Sequence, residues 1–164
     1  MTIKEVALER FSVVSPKPFE VVIATLKAAL GQPDSVGFIR AIRGSRIQAG
    51  LERATPRGLE ENALIIFMEL DQGEILRRET GLETPKNTRF LIGNPLVMKE
   101  MVKHVPAAGS YAPVTVLVDE RPDGVHLSYD KMTSLLAGYR NAAALAVARD
   151  LDARIERLLH TCAG

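Results

Sequence analysis

The sequence predicts an α+β fold: a curved, mostly antiparallel sheet of about five strands, with a long C-terminal helix packed on one face and short helical insertions. Three observations predict it. Hydrophobic periodicity runs in the order strand, helix, four strands, helix (β-α-β4-α). Two alternating runs are joined by Arg121-Pro122-Asp123-Gly124, where proline presets φ and glycine accepts positive φ, and such a hairpin makes antiparallel neighbours. The last apolar stripe, Ala144, Ala148, Leu151, Ile155 and Leu158, has helical spacing and would cover one sheet face. With 164 residues, 46% hydrophobic and 25% charged, the chain is expected to form one domain, 1–164, around one core.

Val6 to Val14 reads as the first strand. Val6 and Leu8 share a face, while Phe11 and Val13 fall in the opposite phase, so a bulge is expected near Glu9–Arg10. Ser15 is the expected N-cap and Pro16 the first residue of a helix carrying Phe19, Val22, Ile23, Leu26 and Leu30. Gly31 and Pro33 end it. A second, irregular helix is expected within Asp34 to Ala54. Leu64 to Leu70 is apolar on both faces until Glu69, which predicts a central strand. A short helix follows to Glu79, with Gly81 as its stop. Thr88 to Ile92 is the next strand, and Asn94-Pro95 caps and opens the helix carrying Val97, Met98, Met101, Val102 and Val105. The hairpin from Ala112 to Asp130 follows, with Val114, Val116 and Val118 on one face. The long helix is expected from about Gly138 to His160, with Asp150 and Arg154 paired one turn apart outside.

The formal charge is +1, so no global field favours nucleic acid or an anionic membrane. Arg40, Arg43, Arg46, Arg53 and Arg57 make one stretch basic, but no aromatic residue lies among them to stack on bases. Cys162 is the only cysteine, which suits a reducing compartment. Neither a leader-like apolar run nor a membrane span is visible. A cytoplasmic protein that binds neither nucleic acid nor membrane is the expectation. His104, His126 and His160 lack metal-ligand spacing with one another or with Cys162, and no metal or cofactor is expected. Ser110 stands in no nucleophile elbow.

The chemistry-bearing candidates are polar residues at the ends of apolar strands: Asp71, Gln72, Asn94, Tyr111, Tyr129 and Asp130. A carboxylate, an amide and a tyrosine at the mouth of an apolar pocket are the usual elements of a small-molecule site. The plainer alternative is that Asp71 and Asn94 cap the helices after them and Asp130 caps the turn after its strand. The ligand reading expects Asp71, Asn94 and Tyr129 to converge at one end of the sheet.

The segments Leu70-Asp71-Gln72, Leu91-Ile92-Gly93-Asn94-Pro95, Val114 to Asp119, and Asp123-Gly124-Val125-His126-Leu127-Ser128-Tyr129-Asp130 resemble the family catalogued as domain of unknown function 302. The resemblance runs from about Phe67 to Leu159, and the first third matches only in its strand–helix start. Gly-Asn-Pro followed at this distance by Gly-x-x-x-x-Tyr-Asp carries it. The resemblance implies a curved antiparallel sheet gripping a long terminal helix, and no established activity. Gln72 stands where the family carries histidine, so a proton-transfer or metal role for that position is not expected here.

The functional expectation is a module that binds an apolar or amphipathic small molecule between the sheet and the C-terminal helix. Ala142, Ala143, Ala144, Ala146 and Ala148 would leave room beneath that helix. The alternatives are an enzyme using Asp71 or Asp130 as general acid–base with the Tyr129 hydroxyl, or a homodimeric interaction or stress protein without such a site.

Overall fold

The computed structural model describes residues 5–31, 64–83 and 85–164. In chain order the elements are β1 (Arg10–Ser15), α1 (Phe19–Ala28), β2 (Ile65–Asp71), α2 (Gly73–Thr80), β3 (Asn87–Gly93), α3 (Pro95–Val102), a 3-10 turn (Pro106–Ser110), β4 (Val114–Arg121), β5 (Gly124–Asp130), α4 (Met132–Ala137) and α5 (Ala142–Ala163). The strands form one open antiparallel sheet in the order β1-β5-β4-β3-β2. The expected α+β class and long C-terminal helix are both present.

The turn chemistry places the hairpin. Arg121 pairs with Gly124 across Pro122 and Asp123, and Gly124 has φ 137°. A Cβ there would lie 2.8 Å from the Ser15 carbonyl oxygen, so only glycine lets β1 approach this closely. One sheet face then buries Phe90, Ile92, Val116, Val118, Leu127 and Tyr129. Helices α1 and α5 pack against each other on it, and Val22, Leu26, Ala144, Ala148, Leu151, Ile155 and Leu159 complete the core. On the opposite face Val14, Met68 and Leu70 are exposed.

Four expectations are corrected. Val6 and Leu8 precede the strand and are exposed; β1 begins at Arg10, so the change of phase marks its start and no bulge is needed. Ser15 is the buried last residue of β1, and its hydroxyl donates to the Ala163 carbonyl at 2.7 Å, tying β1 to the end of α5. Helix α1 starts at Phe19, after Pro18, with no side-chain cap. Strand β2 is at the sheet edge, not its centre; only Ile65 and Ile66 are buried. Its apolar start is covered where Gly31, past α1, forms a parallel bridge to Ile65. The terminal helix does not begin at Gly138: α4 ends at Ala137, Arg140 takes φ 52°, and Asn141 caps α5 by accepting from the Ala144 N–H at 3.0 Å.

The Asp150–Arg154 pair forms as expected. The segment Asp34 to Ala54, and the arginines from Arg40 to Arg57, lie outside the described residues. Among the described residues no helix is long and apolar enough to cross a membrane.

Candidate functional site

Strand register separates the six candidate residues into two groups. Asp71 pairs with Thr88 at one end of the β2–β3 ladder, and Ile65 pairs with Gly93 at the other. Ile92 faces Val114, Val116 faces Tyr129, and Asp130 faces Arg10. Asn94, Tyr111, Tyr129 and Asp130 therefore belong to one end of the sheet, and Asp71 and Gln72 to the other. Asn94 lies six residue steps beyond Thr88, which is about 20 Å of strand. The expected convergence of Asp71 with Asn94 and Tyr129 does not occur. The reason is elementary: consecutive antiparallel strands finish at opposite ends.

At the Asp71 end, the Asp71 carboxylate accepts from the Glu74 N–H at 2.9 Å and from Arg77 at 2.5 Å. It caps α2 and is held below the usual carboxylate range, chiefly by the Arg77 guanidinium. Gln72 is exposed and makes no side-chain cap bond. A groove of about 590 Å³ lies here between α1, β2 and α2, floored by Phe19 and Ile23. Each of its cations meets an acid: Lys27 with Glu69 at 2.6 Å, Arg77 with Asp71, and Lys86 with Glu20.

At the Asn94 end the polar groups are deeper. Asn94 is buried, and its Oδ1 accepts from the Leu96 N–H at 2.8 Å, so it caps α3 as the Asn-Pro pair predicts. Tyr111 is half-buried and bonded to Tyr139, which pushes its hydroxyl pKa up. Asp130 lies on the surface, gripped by two Arg10 nitrogens at 2.5 and 2.9 Å. It does not cap the following turn.

That cap comes from a residue which sequence reasoning missed. Asp152 of α5 is 3% exposed. Its Oδ1 accepts from the Tyr129 hydroxyl at 2.6 Å and the Met132 N–H at 2.8 Å; its Oδ2 accepts from the Thr133 N–H at 3.1 Å and hydroxyl at 2.5 Å. One carboxylate thus satisfies the first amides of α4 from a different helix. Burial, then the bond to Asp152, drives the Tyr129 hydroxyl pKa far above its ordinary value. The signal was present in the sequence: Ala148, Asp152 and Ile155 continue one buried stripe, and an acid there must be partnered.

Beside this network lies a cavity of about 160 Å³ between the ends of β3 and β4, helix α3 and Leu151 of α5. Phe67, Ile92, Val97, Met98 and Met101 form its walls, with Asn94 at its border. The room is not made by the alanines of α5. Ala142, Ala143 and Ala146 face outward, and Ala144 and Ala148 are packed. It arises where α3 crosses the strand ends.

Of the two acids expected as alternatives for an enzyme, Asp71 and Asp130, each lies at the surface and is paired with an arginine, while the Tyr129 hydroxyl is bonded to Asp152. Among the described residues the one buried carboxylate is Asp152, and both its oxygens are occupied. Among the described residues, no three of His, Cys, Asp and Glu cluster closely enough to hold a metal ion.

The family model described as "Domain of unknown function DUF302" matches residues 50–162. No curated protein matches the sequence. A solved structure, an uncharacterized conserved protein DUF302 from Bacillus stearothermophilus, is similar over 94% of each chain at 16% identity, with a TM-score of 0.59. That likeness shows the fold. With more than half its length matched by the family model, the chain belongs to the family of the domain of unknown function DUF302.

Proposed function

We propose that this protein binds a small apolar molecule in the cavity at the Asn94 end, under α3 and beside Leu151. The observation that supports this reading is the pocket itself: about 160 Å³, partly open, and walled almost wholly by apolar side chains, among them Phe67, Ile92, Val97, Met98 and Met101. An apolar ligand seated there removes that surface from water. Apolar cavities of about 150 Å³ stay dry and admit benzene, so the volume sets the ligand class: one small ring or a short branched hydrocarbon group. Of the residues expected to bind, Asn94 borders this cavity, and Tyr111 precedes Ala112 and Pro113 in its wall. Asp71 and Gln72 belong to the other end.

The test is thermal unfolding with benzene, toluene or indole. A ligand at about 100 times its Kd stabilises the native state by about 2.7 kcal/mol. Val97→Phe, whose ring enters the same space, should abolish the rise in Tm. No rise with any of the three in the wild type would refute the proposal.

A second reading is a homodimer formed through the open sheet face, supported by exposed Met68 and Leu70 on the edge strand. Sedimentation equilibrium of Met68→Lys against wild type checks it: a dimer should become a monomer.

A further inference from the structure

Strand β1 is the edge of the sheet opposite β2. The Lys131 N–H donates to the Glu9 carbonyl at 2.9 Å, which sets the phase of the β1–β5 ladder. In an antiparallel pair alternate residues bond to the partner strand, so Phe11, Val13 and Ser15 bond to Tyr129, Leu127 and Val125. Arg10, Ser12 and Val14 turn their backbone N–H and C=O groups outward, and among the described residues nothing bonds to these groups. Ser12 is exposed and Val14 is 44% exposed; on the helix face Phe11 and Val13 are only half-buried. The β2 edge is blunted by a register shift between Ile66 and Met68 and by the bridge from Gly31. Between Arg10 and Ser15 no proline intervenes and the register runs without a shift. Gly31 and Leu64, which flank residues 32–63, are bonded to each other at the far β2 edge.

We propose that β1 docks a second copy of this chain, the two β1 strands pairing antiparallel about a twofold axis at Ser12 to join the two sheets. The occupant follows from self-complementarity. This register sets Ser12 against Ser12 and Arg10 against Val14, so every outward N–H of one copy meets an outward C=O of the other. Phe11 then faces Val13 of the second copy in a pair without hydrogen bonds, with Cβ atoms about 4.5–5.5 Å apart. Apolar surface left half-bare in one copy is covered by the other. Sliding the second strand one way sets Arg10 opposite Pro16, which has no N–H. Sliding it the other way first moves Val14 opposite Leu8, outside the strand, and then sets Arg10 against itself, like charge against like. In the proposed register Arg10, already held by Asp130, faces an uncharged residue. Any extended peptide could add to an open edge through its main chain, but a foreign strand has no reason to share the symmetry about Ser12. This pairing is distinct from a dimer through the open sheet face, which would use side chains and leave the β1 amides unbonded.

The experiment combines sedimentation equilibrium of the full chain with amide exchange followed by NMR. A dimer should form, and the Ser12 and Val14 amides should exchange slowly at high protein concentration and fast once dilution separates the copies. Ser12→Cys, with Cα atoms about 5.5 Å apart across the axis, is within disulfide reach and should oxidise to a covalent dimer; Met68→Cys, on the far edge, should not. Val14→Lys sets two cations opposite each other twice per dimer and should raise the dissociation constant at least about tenfold, while Val14→Glu should not raise it. Circular dichroism of both Val14 variants should match wild type, since the side chain is exposed. A chain that stays monomeric at the concentration used for NMR would overturn the pairing. So would a dimer whose Ser12 and Val14 amides exchange as fast as in the monomer, or one unaffected by Val14→Lys. Cross-linking through Met68→Cys and not through Ser12→Cys would overturn it as well and leave the open-face contact as the interface.

Discussion

The two ends of the sheet carry similar polar residues and give them opposite energetic weight. At the Asp71 end, Asp71, Glu69 and Glu20 meet arginine or lysine at the surface, where water screens each pair and its worth is about 0–1 kcal/mol. At the Asn94 end, Tyr129 and Asp152 are buried and bonded to each other and to backbone amides. Groups removed from water cost heavily when left unpaired. The difference is burial rather than residue type, and it separates a decorated rim from a structural knot.

Four substitutions can break or sharpen that contrast, from the largest effect to the smallest. Asp152→Ala removes the acceptor for Tyr129, Met132 and Thr133 and should cost about 3–5 kcal/mol in urea unfolding. A loss below about 1 kcal/mol would erase the distinction between the ends. At the Asp71 end the vulnerable feature is backbone, not charge: Gly124→Val forces a β-branched residue to φ 137° against the Ser15 carbonyl and should cost roughly 2–4 kcal/mol. An unchanged midpoint would mean that β1 and the hairpin can move apart freely.

Tyr129→Phe should cost about 1–3 kcal/mol at neutral pH, because it removes one donor to a buried carboxylate. It carries a pH signature. The folded pKa of Tyr129 is raised above its ordinary 10.0, so its protonated form stabilises the native state below pH 10.0 and that stability is lost as pH rises toward the folded value. Wild type should therefore lose stability more steeply than Tyr129→Phe above pH 10.0; parallel curves would remove Tyr129 from the account. Smallest of all, Asp71→Asn keeps a capping oxygen and loses only the pair with Arg77, so a change within about 1 kcal/mol is expected.

Much of the fold was legible because its signals are local. Pro122-Asp123-Gly124 specifies a turn within four residues, and Asn94-Pro95 specifies a helix start within two. Sheet order is not local. The run from Leu64 to Leu70, apolar on both faces until Glu69, suggested a central strand, but its buried start reflects the bridge from Gly31 and the pocket wall at the edge of the sheet. The break before α5 depends on Arg140 in a left-handed conformation, which no glycine announces, although Asn141 was readable as a cap. In the candidate site, Asn94 was found because capping chemistry marks it. Asp152 was passed over because a helix with several charged residues makes one more acid look like solvent-facing surface. The separation of Asp71 from Asn94 followed from antiparallel order alone once the strands were paired.

The central functional claim is that the apolar pocket at the Asn94 end takes a small apolar ligand. Methyl-resolved NMR of the wild-type chain during a benzene titration tests it most directly. The account predicts saturable shifts at Ile92, Val97, Met98, Met101 and Leu151, which line the cavity, and their loss in Val97→Phe. Shifts absent from these methyls, or gathered instead at methyls away from this pocket, would contradict it.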